Sequence, residues 1–233
     1  MKQSLIIGAG GIGLAVAELL SQQGDEHNIT IITSNPTLLS DKRFNVLLVE
    51  NHSEQQVASC LATLSIKFDY VFCCLGLLHQ EEIQPEKNLS QWRVDSAVAL
   101  MQANAFAPLT YLVHLQKSLA KECKLAFLSA RVGSISDNRL GGWYSYRMAK
   151  AALNMAIKTA SVELARSSNK VCVIAFHPGT TDTKLSKPFQ RNVPKNKLFT
   201  AQFSAECLIR LMFQVNEKDS GKFFAWDGQE IEW

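Results

Sequence analysis

Short apolar runs alternating with longer amphipathic stretches predict an α/β fold, a doubly wound parallel sheet of the Rossmann kind with about seven strands and helices on both faces. Three observations carry this prediction. The apolar runs are near-continuous Val, Ile, Leu, Phe and Cys, as strands buried on both faces require. The first run ends in a glycine-rich turn that leads straight into a helix-like stretch. A chain of 233 residues, 47% hydrophobic and 19% charged, can cover one sheet on both faces, so residues 1–233 read as a single domain with no internal boundary.

The elements follow in order. Strands are predicted at residues 4–7, 29–33, 46–49, 70–75, 125–129, 171–176 and 222–225, and helices near 12–23, 53–64, 95–119, 144–166 and 201–213. Between the sixth strand and the last helix, residues 180–199 carry Lys184, Lys187, Arg191, Lys195 and Lys197 without a regular pattern. Their length and position suit a mobile flap over a site, and equally a solvated loop. Ligands of open α/β sheets bind at the carboxyl ends of the strands, so candidate residues are sought there.

Composition excludes several classes of function. The net charge is +3 with Lys and Arg scattered along the chain, which predicts no nucleic-acid partner. The opening MKQSLIIGAGG has too short an apolar stretch for a secretory signal, and no run approaches the ~20 residues of a membrane helix. A cytoplasmic protein with no membrane partner is the expectation. The six cysteines lack CxxC spacing and read as reduced thiols. In that compartment the Asn28 and Asn88 glycosylation sequons carry no weight. The five histidines show no metal-like spacing with acids or cysteines, so no metal site is predicted, and His177 reads as a strand-end packing residue.

After the first strand comes GAGGIG, in which Gly8, Gly10 and Gly13 satisfy GxGxxG. The pattern supplies a tight turn, a backbone that can approach a pyrophosphate, and close helix–sheet packing. Gly11 and Ile12 complete it, and the N–H groups of the helix start would face phosphate. After the second strand, TSNP contains no acid to hold the two ribose hydroxyls of NAD. NADP is therefore favoured, with NAD as the alternative, and Ser34, Asn35, Lys42 or Arg43 could donate to a 2′-phosphate. Further on, YSYRMAK places Tyr146 and Lys150 four residues apart on one helix face, while Tyr144 pairs with Met148 and reads as a wall or core residue. A tyrosine with an ordinary pKa near ~10 is a poor acid or base at neutral pH. A lysine ammonium beside it stabilises the phenolate and brings it toward the working range.

The order of motifs resembles the short-chain dehydrogenase/reductase family over nearly the whole chain: a Gly-rich first turn, CLG after the fourth strand, Asn104 in a long helix, SARVG after the fifth strand, YxxxK, and HPGTTDT after the sixth. ARVGSISDN, GGWYSYRMAKAALN and FFAWDG are similar to the branch with carbonyl reductases and C-factor signalling proteins. The resemblance implies Tyr146 as general acid/base, Lys150 as its electrostatic partner and a ribose ligand, and Asn104 as support for the lysine through a water-mediated relay. Pro178, Gly179, Thr181 and Thr183 would lie beside the nicotinamide, Gly76 behind the adenosine ribose, and Glu50 near the adenine. The implied activity is NAD(P)(H)-dependent interconversion of a small-molecule carbonyl and its alcohol, in a homodimer or homotetramer. The alternative is a nucleotide-binding regulatory or C-factor-like signalling protein with weak or no turnover.

Three departures from the family pattern stand out. Ile7 replaces a threonine and the glycine spacing is one residue shorter. Cys73 and Cys74 replace asparagines. Ala130 falls where related sequences place a serine that donates to the substrate carbonyl, and the loss of one such donor costs ~3 kcal/mol, or about 10²–10³ in rate. By strand alternation Ser129 should face away, and Ser134 could reach inward only if its loop folds back. A slow enzyme is the expectation, because Tyr146 can itself donate to that oxygen.

Overall fold

The computed structural model describes residues 1–23, 26–167 and 169–233. Its strands are β1 (Lys2–Ile7), β2 (His27–Thr33), β3 (Asn45–Leu48), β4 (Phe68–Cys73), β5 (Leu119–Leu128), β6 (Cys172–His177), β7 (Thr180–Thr181), β8 (Leu198–Phe199) and β9 (Phe223–Ala225). Seven of them form one parallel sheet in the order β3-β2-β1-β4-β5-β6-β9, as the alternation of apolar runs predicts. The chain winds outward in one direction through β2 and β3, then returns to β4 and winds the other way. The gap between the ends of β1 and β4 is therefore the switch point where a ligand crevice opens.

Strand alternation divides the core between two faces. Leu5, Ile7, Val71, Leu125 and Phe127 pack with α2 (Glu54–Ala62), α4 (Ala107–Leu115) and α5 (Tyr144–Leu164). Ile6, Phe72, Ala126 and Ile174 pack on the opposite face with α1 (Gly11–Ser21) and α6 (Ala201–Gln214). Both faces of each central strand are buried, which is why these strands are apolar throughout rather than alternating.

The predicted helix at 95–119 differs from a uniform one. It begins as α3 (Val94–Met101), widens into a π turn at Gln102–Phe106, and continues as α4. Pro108 has no N–H to give the Asn104 carbonyl, its partner four residues back, and the Ala107 N–H reaches the Gln102 carbonyl instead. The expectation that no stretch is long enough for a membrane also needs correction. Taken together, Val94–Ser118 is a 25-residue helical run with a mean hydropathy of 1.2 in its most apolar window. Its polar residues are scattered rather than clustered, so a scan for unbroken apolar runs misses it. Leu100, Ala105, Tyr111, Leu112 and Leu115 on this run are buried within the protein core. The segment 180–199 is anchored at both ends, because β7 and β8 pair in parallel, Thr180 with Leu198 and Thr181 with Phe199.

Candidate active site

A cavity of about 830 Å³ opens at the switch point, within the usual range for small-molecule sites. Gly10 through Gly13 form one end of it. Gly8 supports this turn from below with φ of 88°, and a Cβ on Gly13 would overlap the Gly8 carbonyl oxygen. Only glycine fits Gly13, because α1 starts directly against the turn. A Cβ on Gly10, by contrast, would meet nothing within 4 Å, so the backbone there is open to a ligand. The first helical bond of α1 runs from Leu14 N–H to Gly10 C=O at 2.9 Å. That leaves the N–H groups of Gly11, Ile12 and Gly13 without intrahelical acceptors, at the positive end of the helix dipole.

Tyr146, Lys150, Gly76, Pro178, Gly179, Thr181 and Thr183 also line the cavity. Lys150 is 2% exposed and Tyr146 6%. The Lys150 Nζ stands 5.7 Å from the centre of the Tyr146 ring and donates to the Leu128 carbonyl at 2.9 Å. Burial holds Lys150 down to about 8, against an ordinary 10.5, with Cys73 acting weakly in the other direction. Burial also pushes the Tyr146 hydroxyl well above its ordinary 10. Without a further cation, the tyrosine stays protonated at neutral pH.

Asn104 is completely buried, and its side chain is fully engaged by backbone: Oδ1 accepts from Leu77 N–H at 3.1 Å, while Nδ2 donates to the Leu77 and Leu100 carbonyls at 2.7 and 2.9 Å. The side chain thus fixes the loop after β4. A Cβ on Gly76 would lie 3.5 Å from Asn104 Oδ1 and 3.6 Å from Lys150 Nζ, so Gly76 backs this pair. Cys73 is buried and its thiol is pushed up to about 12 by burial, whereas Cys74 lines the cavity.

Ala130 lines the cavity, and neither neighbouring serine replaces the hydroxyl it lacks. Ser129 Oγ donates to Asn154 Oδ1 at 2.6 Å, facing away as strand alternation predicts. Ser134 Oγ donates to the Glu232 carbonyl at 2.5 Å and accepts from Asp137 N–H, tying its loop to the end of the chain. Ser34 and Glu50 are both exposed at the ends of β2 and β3 and do not line the cavity. Nearby, Asn35 accepts from Thr37 N–H, and Arg43 is held by Asp41 at 2.6 Å, so Asn35 and Arg43 are engaged locally. His177 ends β6 and lines the cavity; burial and then the Arg131 charge hold it down to about 4, and its Nδ1 has no partner. It is neutral and cannot serve as a cation at neutral pH.

Several residues of the site escaped sequence reasoning. Trp143 packs its ring 6.2 Å from Tyr146 and 5.1 Å from Phe189, and His79 lies 5.6 Å from Phe189 and 3.2 Å from the Lys184 carbonyl. Phe189 and Leu185 come from the segment 180–199 and give the cavity an apolar wall, beside Lys184 as the one lysine of that segment that lines it. The Gly-Gly-Trp run before YSYRMAK was the available signal for a special turn.

Comparison with known proteins agrees with this fold. A family model described as enoyl-(acyl carrier protein) reductase matches residues 8–214. The 1-hydroxy-2-glutathionyl-2-methyl-3-butene dehydrogenase of Rhodococcus sp. (strain AD45) is 27% identical over 237 residues, covering 100% of both chains. The C-signal protein of Myxococcus xanthus is 33% identical over 132 residues, 56% of this chain and 74% of that one. Among solved structures, the NADPH-bound carbonyl reductase from chicken fatty liver superimposes with a TM-score of 0.87 at 20% identity, covering 100% of this chain and 99% of that one. With the glycine turn after β1 and the Tyr146–Lys150 pair of α5 lining one cavity, the chain belongs to the short-chain dehydrogenase/reductase family.

Proposed function

We propose that the protein, acting as one domain, is an NADP(H)-dependent oxidoreductase that interconverts a small-molecule carbonyl and its alcohol. The observation that carries this reading is the buried Tyr146–Lys150 pair facing the same cavity as the open glycine turn. The residues fit a dinucleotide: Gly10 is open to approach, the N–H groups of Gly11 to Gly13 are free for phosphate, and Lys150 Nζ keeps donors beyond its bond to Leu128. Ser34 and Glu50 stand on the exposed rim toward the adenosine end, and no acid at 33–36 repels a 2′-phosphate. Pro178, Gly179, Thr181 and Thr183 would border the nicotinamide. When bound, the cofactor supplies the hydride. Tyr146 donates its proton to the developing alkoxide, and the Lys150 ammonium steadies the phenolate that results. Asn104 holds the loop that positions both. The apolar walls from Trp143, Leu185 and Phe189 exclude water and favour an apolar carbonyl compound.

Exposed Val98, Val113, Met155 and Val162 on the outer helices support a homodimer or homotetramer that covers them. Six free thiols support a reducing compartment, the cytoplasm.

A second reading, a nucleotide-binding signalling protein with weak turnover, is favoured by Ala130 and by the likeness to C-signal. NADPH and NADH consumption over a panel of aldehydes, ketones and quinones decides between them. Turnover that Tyr146→Phe abolishes while nucleotide binding persists supports the oxidoreductase; nucleotide binding with no turnover on any substrate supports the signalling reading.

A further inference from the structure

Two charged side chains are buried among the described residues: Lys150, which belongs to the site, and Glu86, which does not line the cavity. Glu86 is 3% exposed and sits in the long loop after β4. Among the described residues no cation lies within ion-pair distance of it. Its partners are instead at the start of α5, nearly sixty residues further along. Its main-chain carbonyl accepts from Trp143 N–H at 2.5 Å, and its carboxylate accepts from Ser145 N–H at 3.2 Å and from the Ser145 hydroxyl.

This arrangement replaces an ordinary helix cap. The residue before α5 is Trp143, which has no capping side chain and adopts φ 53°, ψ 41°. Among the described residues it is the sole non-glycine with positive φ, and it follows Gly141 and Gly142 at φ 64° and 66°. Helix starts normally have an extended Ser, Thr, Asp or Asn whose side chain accepts a free N–H. Here the acceptor is brought from another loop, and a carboxylate suits the positive end of the helix dipole. From the other side, the Arg147 guanidinium donates to the carbonyls of Gly141, Gly142 and Val132 at 3.1, 2.9 and 3.3 Å. The turn so held presents the Trp143 ring to Tyr146, and Ser145 is the residue immediately before that tyrosine.

We propose that Glu86 is a positioning residue: by capping α5 from the loop after β4 it holds Trp143 in its left-handed conformation and sets where the Tyr146 hydroxyl stands against the pocket wall. The proposal rests on the oxidoreductase reading above. Glu86 touches neither end of the nucleotide site, so its loss should separate binding of nucleotide from turnover.

Three variants test it. Glu86→Gln keeps both contacts, because the amide oxygen can accept from Ser145 N–H while the amide N–H donates to the Ser145 hydroxyl. Glu86→Asp keeps the charge but falls short, and Glu86→Ala removes the acceptor. The expected result is NADPH affinity within about twofold of wild type for all three, with kcat lowered about 10–100-fold and carbonyl KM raised in the Asp and Ala variants, and restored to within about threefold by Gln. If Ala does not fold, Asp against Gln carries the same comparison. Asp and Ala variants with wild-type kcat and KM overturn the proposal, as does a Gln variant as impaired as Asp. A wild-type protein that binds NADPH but reduces nothing defeats the oxidoreductase reading instead. The placement of Trp143 is then read from its fluorescence, as the difference between each protein and its Trp143→Phe counterpart. A signal moved by Asp and kept by Gln supports the positioning role, and one unmoved by Asp overturns it.

Discussion

Replacing Lys150 with methionine should stabilise the nucleotide-free protein while destroying its activity. Burial lowers Lys150 from 10.5 to about 8, so near neutral pH the folded chain holds a cation that it would bind more weakly than the unfolded chain does. That gap corresponds to about 3 kcal/mol at ~1.4 kcal/mol per pH unit. The penalty is fully present below about pH 8 and relieved as pH rises to 10.5, because in that window the unfolded state binds more protons. Methionine fills a similar volume without charge, but leaves the Leu128 carbonyl without its 2.9 Å donor, a loss of about 1 kcal/mol. The net gain is about 2 kcal/mol, or roughly 4–8 °C in Tm for a chain of this size. Thermal and urea unfolding of both proteins from pH 6 to 10.5 is the assay. The buried cysteines are held protonated in the folded protein but titrate in this range once unfolded, so the quantity to read is the difference between the proteins, which should shrink as pH rises. A variant less stable than wild type at pH 7, or a difference independent of pH, would refute the reasoning.

Other outcomes follow from the same geometry. Ala130→Ser should raise kcat by about 10–100-fold, since the strand end lines the cavity and neither Ser129 nor Ser134 is free to donate; steady-state kinetics with unchanged KM for NADPH checks it. Gly10→Ala should cost no more than about 1 kcal/mol of stability yet weaken NADPH binding, whereas Gly13→Ala should fail in both because its Cβ meets the Gly8 carbonyl; calorimetric Tm and nucleotide titration separate the two. The kcat/KM for carbonyl reduction should be level below about pH 8 and fall above it as Lys150 loses its proton, while Tyr146 stays protonated as the donor; a pH profile flat to 9.5 contradicts this assignment.

Much of the site was legible because its chemistry is written in local spacing. GxGxxG after a strand fixes a turn and a helix start, and Tyr146 and Lys150 four apart must share a helix face. The alternation of β5 correctly turned Ser129 away, although its partner Asn154, 25 residues on, could not be inferred. The helix read as uniform over 95–119 is interrupted by a π turn at Gln102–Phe106, just before Pro108. What stayed hidden depends on loops meeting across the fold. Glu86 looks like an ordinary surface acid in QPEKN, and only its contact with the start of α5 makes it buried. Trp143, just outside the helix read at 144–166, gave no sign that it shares a left-handed turn with the two preceding glycines. The lysines of 180–199 drew attention to charge, whereas only Lys184 of them lines the cavity and Leu185 and Phe189 supply its apolar wall.

These features combine into a site with few donors. Cys73 and Cys74 replace the asparagines of the family pattern, Asn104 uses its amide on the Leu77 loop, and Ala130 has no hydroxyl. On the proposed reading Tyr146 is then the donor that remains for a developing oxyanion beside it, where Trp143, Leu185 and Phe189 form an apolar wall. Its placement matters more than it would in a site with a second donor, because no neighbouring hydroxyl can compensate for a shift. That is the physical reason for a built structure around the start of α5. The Glu86 carboxylate, the Arg147 clasp and the Trp143 turn hold the tyrosine from the main-chain side, and the buried Lys150 holds it electrostatically from the next turn of the helix.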